Sequence, residues 1–383
     1  MNWITGGRFA PGEIKKLIAQ LADSTRRDHA AKELINMGAD AVPPLIEALQ
    51  TQDLGLLLHY QRILARIPSA SPALTKALVT AHPLVRGRVA EIFGISSDKS
   101  AIPVLLDVLK GEYFTVRSRA ALALGNMGDT RVIPDLMVLL KDREPEVRSA
   151  ACIALGKFND PSTFDEIANV LLDDVMIEVR QSAARALGDT KHPAAIPLLM
   201  EALRDSFWWF EREQAAKDLL TVIEKMGVGV VEPLIEALGD KEGTVRKFAA
   251  MILGNLADVR AMDELGMTLY DLHHEVSKAA AEALAKFGAR AVDILIEALH
   301  HPEAGIRERA IGALGKIQDA RVAPVLIEML RDPERIVQKQ AMQSLGELRD
   351  RRALPALQEI ASSRADRELA ALAKKTLDLI QTQ

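Results

Sequence analysis

One phrase recurs along this 383-residue chain. VRGRVAEIFG (85–94) returns as VRSRAALALG (116–125), VRSAACIALG (147–156) and VRQSAARALG (179–188). It returns again as VRKFAAMILG (245–254), IRERAIGALG (306–315) and VQKQAMQSLG (337–346). The step is about 31 residues, the length of a supersecondary unit that buries its apolar face only by stacking on copies of itself. A stack of this kind presents a long surface rather than a catalytic cleft. Functional residues are therefore expected where units depart from the repeat.

Each unit reads as two helices. Helix A carries a proline near its start and an apolar stripe, as in AIPVLLDVL (101–109), VIPDLMVLL (132–140), AIPLLMEAL (195–203) and VAPVLIEML (322–330). Proline suits the first turn, where its missing N–H removes no hydrogen bond. A polar turn such as KDREPE (141–146) leads to helix B, whose apolar residues fall at helical spacing. Gly125, Gly156, Gly188, Gly254, Gly315 and Gly346 fall late in helix B, where a Cβ would be unwelcome. Turns containing Asp129, Asp160, Asp258, Asp319 and Asp350 connect to the next unit. The arginine of the Val-Arg phrase (Arg86, Arg117, Arg148, Arg180, Arg212, Arg246, Arg307) is read as a tie between units, its fork matching an aspartate of these turns. About twelve such hairpins tile the chain.

Hydrophobic residues make up 49% of the chain and aromatics only 4%, the composition of an Ala/Leu-rich helical stack. The single cysteine, Cys152, excludes a disulfide framework or a Cys-based zinc site and reads as a small buried thiol. The opening MNWITGGRF lacks a basic region followed by an apolar run, and no run of about 18 apolar residues occurs. A cytoplasmic chain without membrane insertion is the expectation.

The phrases VRSRAALALGNMGDTRVIPDL and IRERAIGALGKIQDARVAPVL resemble the HEAT-repeat superfamily, specifically its short phycobilisome-lyase HEAT-like units. The resemblance covers nearly the whole chain and implies an all-α fold, a right-handed α-solenoid of about twelve stacked hairpins. The expected organisation is one solenoid over 1–383: degenerate repeats at 1–69, regular ones at 70–202, a lengthened unit at 203–230, regular repeats at 231–353 and a capping repeat at 354–383. Val276-Ser277 replaces Val-Arg in one unit, and the lengthened unit holds the tryptophan pair of SFWWFERE (206–213).

In this family the variable helix-B positions face the concave surface. The basic residues there are Lys32, Arg62, Arg88, Arg119, Arg185, Lys217, Lys247, Lys278, Arg309 and Lys339. They outnumber the acids Asp28, Glu91, Glu213, Glu282 and Glu308, on a chain whose net charge is −5. That segregation points to an anionic partner. Leu122, Ile153, Phe248 and Met251 interrupt the basic residues as an apolar contact patch. Trp208 and Trp209 are of the type that anchors interfaces. The candidate partner-binding residues are thus Arg62, Arg88, Arg119, Leu122, Ile153, Arg185, Trp208, Trp209, Lys217, Lys247, Phe248, Met251 and Lys278.

No residues group into a catalytic, cofactor or metal site. The di-iron hydroxylases built on this repeat use recurrent His-Glu dyads, whereas His274-Glu275 occurs once here and out of phase. The leading expectation is a non-enzymatic scaffold that binds a partner protein or an acidic segment. The family resemblance also implies a helper of phycobiliprotein assembly acting on a bilin-bearing protein. A nucleic-acid partner is the third reading, against which the pI of about 6.0 weighs.

Overall fold

The computed structural model describes residues 9–205, 213–363 and 365–382. Among these residues there are helices and turns and no strand. The chain divides into two units, Met1–Ala202 and Leu203–Gln383.

The first unit stacks six hairpins: α1 (Pro11–Gln20) with α2 (Arg27–Met37), α3 (Val42–Ala48) with α4 (Leu54–Ala65), and α5 (Ser71–Thr80) with α6 (Pro83–Ser96). These are followed by α7 (Ile102–Val108) with α8 (Phe114–Met127), α9 (Ile133–Leu139) with α10 (Pro145–Gly156), and α11 (Phe164–Asp173) with α12 (Ile177–Thr190). Helix α13 (Ala195–Arg204) comes next in the chain. The second unit opens with α14 (Glu213–Lys225). Its hairpins are α15 (Val231–Ala237) with α16 (Gly243–Leu256), α17 (Met262–Thr268) with α18 (His274–Lys286), and α19 (Val292–Ala298) with α20 (Ala304–Leu314). The last two are α21 (Val322–Met329) with α22 (Arg335–Leu348) and α23 (Leu354–Ser362) with α24 (Arg367–Gln381). Odd-numbered helices are the A members and even-numbered the B members.

Local chemistry sets the helix ends. The inter-unit aspartates cap a short 3-10 turn before helix A: Asp129 Oδ1 accepts the Arg131 N–H at 3.1 Å, and Asp160, Asp258 and Asp350 do the same at the equivalent place. Pro103, Pro134 and Pro355 then fall in the first two helical positions. In α15 and α21 the proline is one step later, at Pro233 and Pro324, so these helices do not open on it. Helix α8 ends on Gly128 with φ +65°, the left-handed cap that glycine adopts without strain. At the same place in α16 stands Ala257, with φ 49°.

The glycines late in helix B mark backbone contact between successive B helices. A Cβ added to Gly125 would sit 2.7 Å from Ala154 Cα, and one on Gly254 only 2.6 Å from Ala283 Cα. Gly94 and Gly156 meet Ala123 and Ala186 in the same way. Beneath this layer Leu34, Leu64, Phe93, Leu105 and Leu124 are fully buried between the helices. Each such side chain is worth about 1.5–3 kcal/mol of transfer free energy. Cys152 belongs to the same interior, and burial pushes its thiol up to about 12. It is a packing residue.

The arginine ties exist, but their partner differs from the one expected. Arg117 Nε and Nη2 grip Asp142 at 2.9 and 2.8 Å. Arg148 grips Asp174, Arg246 grips Asp271 and Arg307 grips Asp332 with the same fork. These aspartates lie in the A–B turn of the following hairpin, not in the inter-unit turn. In each arginine Nη1 donates back to two carbonyls of its own A–B turn, such as Gly111 and Glu112 for Arg117. The aspartate in turn accepts the N–H two residues on, as Asp142 does from Glu144 at 2.9 Å.

The exceptions follow the same logic. Ser277 replaces the arginine and donates to the Leu269 carbonyl, and Pro302 stands where its aspartate would be. Arg86 faces Gly111 in place of an aspartate, donates to the Leu78 carbonyl at 2.8 Å and lies 6.0 Å from the Tyr113 ring centre. Gln338 keeps only the carbonyl bond, to Asp332 at 2.6 Å.

Candidate binding surface

The helix-B phrase has ten positions, and the stack treats them differently. The sixth and ninth residues are buried in every described unit from α4 to α22. The seventh is buried in none. It is Arg62, Glu91, Leu122, Ile153 and Arg185 in the first unit, and Lys217, Met251, Glu282, Gly312 and Gln343 in the second. Helical geometry explains the contrast: positions six and nine face the A helix and the neighbouring B helices, while position seven is turned about 100° or more away from both. Each unit therefore has one face where side chains of successive hairpins stand in a row without serving the core. The chemistry along that row changes at every step.

Several expected surface residues are placed differently. Arg88 is buried, and its Nη1 donates to the carbonyls of Leu49 and, at 2.7 Å, Thr51. Desolvation lowers its pKa, and it serves as a strut for the end of α3 rather than as a contact residue. Arg119 is half-buried and pairs with Glu91 at 3.2 Å, while Glu91 also accepts from Gln61 Nε2 at 2.5 Å. Lys247 pairs with Glu275 at 2.9 Å, and Lys339 with Glu368. The basic surplus read from the sequence is thus partly neutralised by neighbouring units.

Ile153 and Met251 are exposed, and Leu122 and Phe248 half-buried. Arg62, Arg185, Lys217 and Lys278 are exposed. Trp208 and Trp209 lie outside the described residues. The helix-A acids Glu47, Glu201, Glu236, Glu297 and Glu328 are all exposed on the opposite layer.

A cleft of about 330 Å³ opens on the B face of the second unit, across α18, α20 and α22. Its floor is Ala281, Gly312 and Ala313, and its walls carry Lys278, Glu282, Glu308, Arg309, Lys316, Gln340 and Glu347. Sequence reading missed this cleft. Its one sequence signal is Gly312, a glycine at the seventh position where every other unit has a side chain. Burial raises the pKa of Glu308 against the pull of Arg309 and His274.

A family model for HEAT repeats matches residues 102–176, 133–219, 231–306 and 292–378, together more than half of the chain. A model for the PBS lyase HEAT-like repeat matches residues 27–51. No curated protein matches the sequence at a significant level. Among solved structures the chain is similar to Kap121p bound to Ste12p, with TM-score 0.57 and 15% identity over 96% of this chain and 49% of that one. It is similar to the karyopherin Kap121p bound to the extreme C-terminus of the protein phosphatase Cdc14p, with TM-score 0.56, 15% identity and the same coverage. The likeness to Kap95p with RanGDP has TM-score 0.53 and 13% identity over 96% of this chain and 60% of that one. The chain thus spans about half the length of Kap121p, and at such identity the likeness is one of fold. Repeat phrase, paired helices and family match agree: this chain is an α-solenoid and belongs to the HEAT-repeat family.

Proposed function

We propose that this chain is a non-enzymatic scaffold that binds a protein partner along its helix-B faces, as one repeat array over 1–383. The observation that carries the reading is the seventh-position row. Every described hairpin from α3–α4 to α21–α22 keeps this place out of the core, although Glu91 there also ties neighbouring hairpins through Gln61 and Arg119. A row of changing side chains on rigid helices is the arrangement by which a repeat protein reads an extended partner. The fold neighbours are solved with Ste12p, Nup53p and the Cdc14p C-terminus bound, which supports the same use here. The acidic character expected of the partner has its support at Arg62, which is exposed and holds no carboxylate among the described residues, whereas around Lys278, Arg309 and Lys316 three glutamates balance the charge.

The test is affinity purification of the full chain from its native cell, compared with Ile153→Asp and Met251→Asp variants. Both residues are exposed, so the variants are expected to fold. Loss of the same partner from the variants supports the reading. An unchanged set of partners refutes it.

A further inference from the structure

The cleft over α18, α20 and α22 contains an arginine that grips no carboxylate among the described residues. Arg246, Arg307 and Arg335, the other arginines on the B helices from α16 to α22, all grip carboxylates: Asp271, Asp332 and Asp366. Arg309 has no ion pair among the described residues, and its Nε is buried without a hydrogen-bond partner. A guanidinium is planar, permanently charged and fitted to a carboxylate fork, so leaving one half-buried and unanswered is unfavourable unless something else answers it. Its head lies over Gly305, whose missing Cβ leaves the contact open: Nη1 is 3.3 Å from where that Cβ would be. Lys278 and Lys316 flank the cleft, also without ion pairs among the described residues.

Three carboxylates, Glu282, Glu308 and Glu347, line the same walls, so the cleft is close to neutral rather than basic. That balance selects the ligand. A phosphate or a polyanion would bring about two or more negative charges against these carboxylates. A single carboxylate could take Arg309, while a neighbouring cation on the same ligand meets Glu282 or Glu347. Gly312 puts no side chain on the floor, where the Gln340 amide lies against the helix as a hydrogen-bonding group for an approaching main chain. Gln340 Nε2 lies 3.3 Å from where a Gly312 Cβ would be.

We propose that this cleft is a subsite of the scaffold surface for an extended protein segment of mixed charge, an acidic side chain flanked by a basic one. Arg309 takes the carboxylate and Gly312 admits the main chain. The proposal rests on the scaffold reading but names one place on it.

The test uses four fluorescein-labelled ten-residue peptides and the full-length chain, followed by fluorescence anisotropy at about 0.15 M salt. One peptide alternates Glu and Lys with Gly spacers, and the others replace the charged residues by all Glu, all Lys or phosphoserine. The mixed peptide is expected to bind at least tenfold tighter than the other three. Arg309→Gln should weaken it at least tenfold, and Gly312→Leu, which fills the floor, should abolish it. Both variants are expected to keep the melting temperature of the parent, since Arg309 holds no ion pair among the described residues and a leucine already occupies the seventh position at Leu122. Equal binding of all four peptides, preference for the phosphorylated or all-Glu peptide, no binding of the mixed one, or full binding by either variant overturns the proposal. The scaffold reading fails separately, when Ile153→Asp and Met251→Asp retain the native partner.

Discussion

The Arg307–Asp332 tie offers the sharpest test of how the stack is held. Both side chains are nearly buried, 9% and 5% exposed. Nε and Nη2 each reach a carboxylate oxygen at 2.8 Å, and Nη1 reaches the His301 and Pro302 carbonyls at 2.8 and 2.9 Å. Arg307→Gln strips the fork and leaves Asp332 with the Glu334 N–H at 2.9 Å as its remaining bond. Breaking a buried pair costs about 3–5 kcal/mol because the survivor is an uncompensated charge, and the glutamine returns about 1 kcal/mol through one carbonyl bond. The expected loss is therefore about 3 kcal/mol. Asp332→Asn keeps the turn bond and should cost about 2 kcal/mol. The double variant leaves no buried charge, so it should cost about 3 kcal/mol rather than the sum, a coupling of about 2 kcal/mol.

Because a solenoid unfolds unit by unit, the coupling across one tie is best read at the two hairpins it joins. The assay is native-state hydrogen exchange of the α20 and α22 amides across the four-member cycle. Strict additivity, with a coupling below about 0.5 kcal/mol, would show that the fork does not hold the hairpins together.

Three further outcomes follow from the same geometry. Gly254→Ala drives a Cβ to 2.6 Å from Ala283 Cα, so α16 and α18 must separate, at about 1–3 kcal/mol. Gly346→Ala meets only side-chain atoms, Thr376 Cγ2 at 3.4 Å and Leu379 Cδ1 at 3.5 Å, and should cost far less; equal melting temperatures for the two would contradict the backbone-contact reading. Ala257→Gly relieves a left-handed cap at φ 49° and should stabilise the second unit by about 0.5–1 kcal/mol, read by urea titration; a destabilised variant would count against it.

The third outcome concerns acid. Burial raises the carboxyls of Asp142, Asp174, Asp271 and Asp332, but their arginine and backbone N–H bonds outweigh it and hold each below the usual 3.8. A depressed folded-state pKa contributes stability that is present above 3.8 and lost as pH falls through the lowered value. Urea midpoints should therefore hold from about pH 7 to about pH 5 and drop below about pH 4. A midpoint unchanged at about pH 3 would show that the ties carry no weight.

The repeat, the two helices per unit and the buried glycine row were legible because each is a local periodic pattern in the chain. VRSRAALALG states its buried face by spacing alone, and Gly125 or Gly254 states a close approach by lacking a Cβ. Cys152 was legible for the same reason, since it occupies a sixth position. What spacing could not supply was which distant group answers each charged one. Arg117 lies between two aspartate turns, and only the fold shows that it crosses to Asp142 in the next hairpin rather than using the Asp129 turn. Arg88 and Arg119 occupy the same place in the phrase, yet the first is drawn inward by the free carbonyls of Leu49 and Thr51 and the second pairs with Glu91. The cleft depends on three helices at once: Gly312 lies on its floor, Lys278 and Glu347 come from the helices on either side, and Arg309 is left without an ion pair among the described residues. Hydrophobic periodicity is written along one helix, whereas charge pairing is settled across neighbours that the chain brings together only when it stacks.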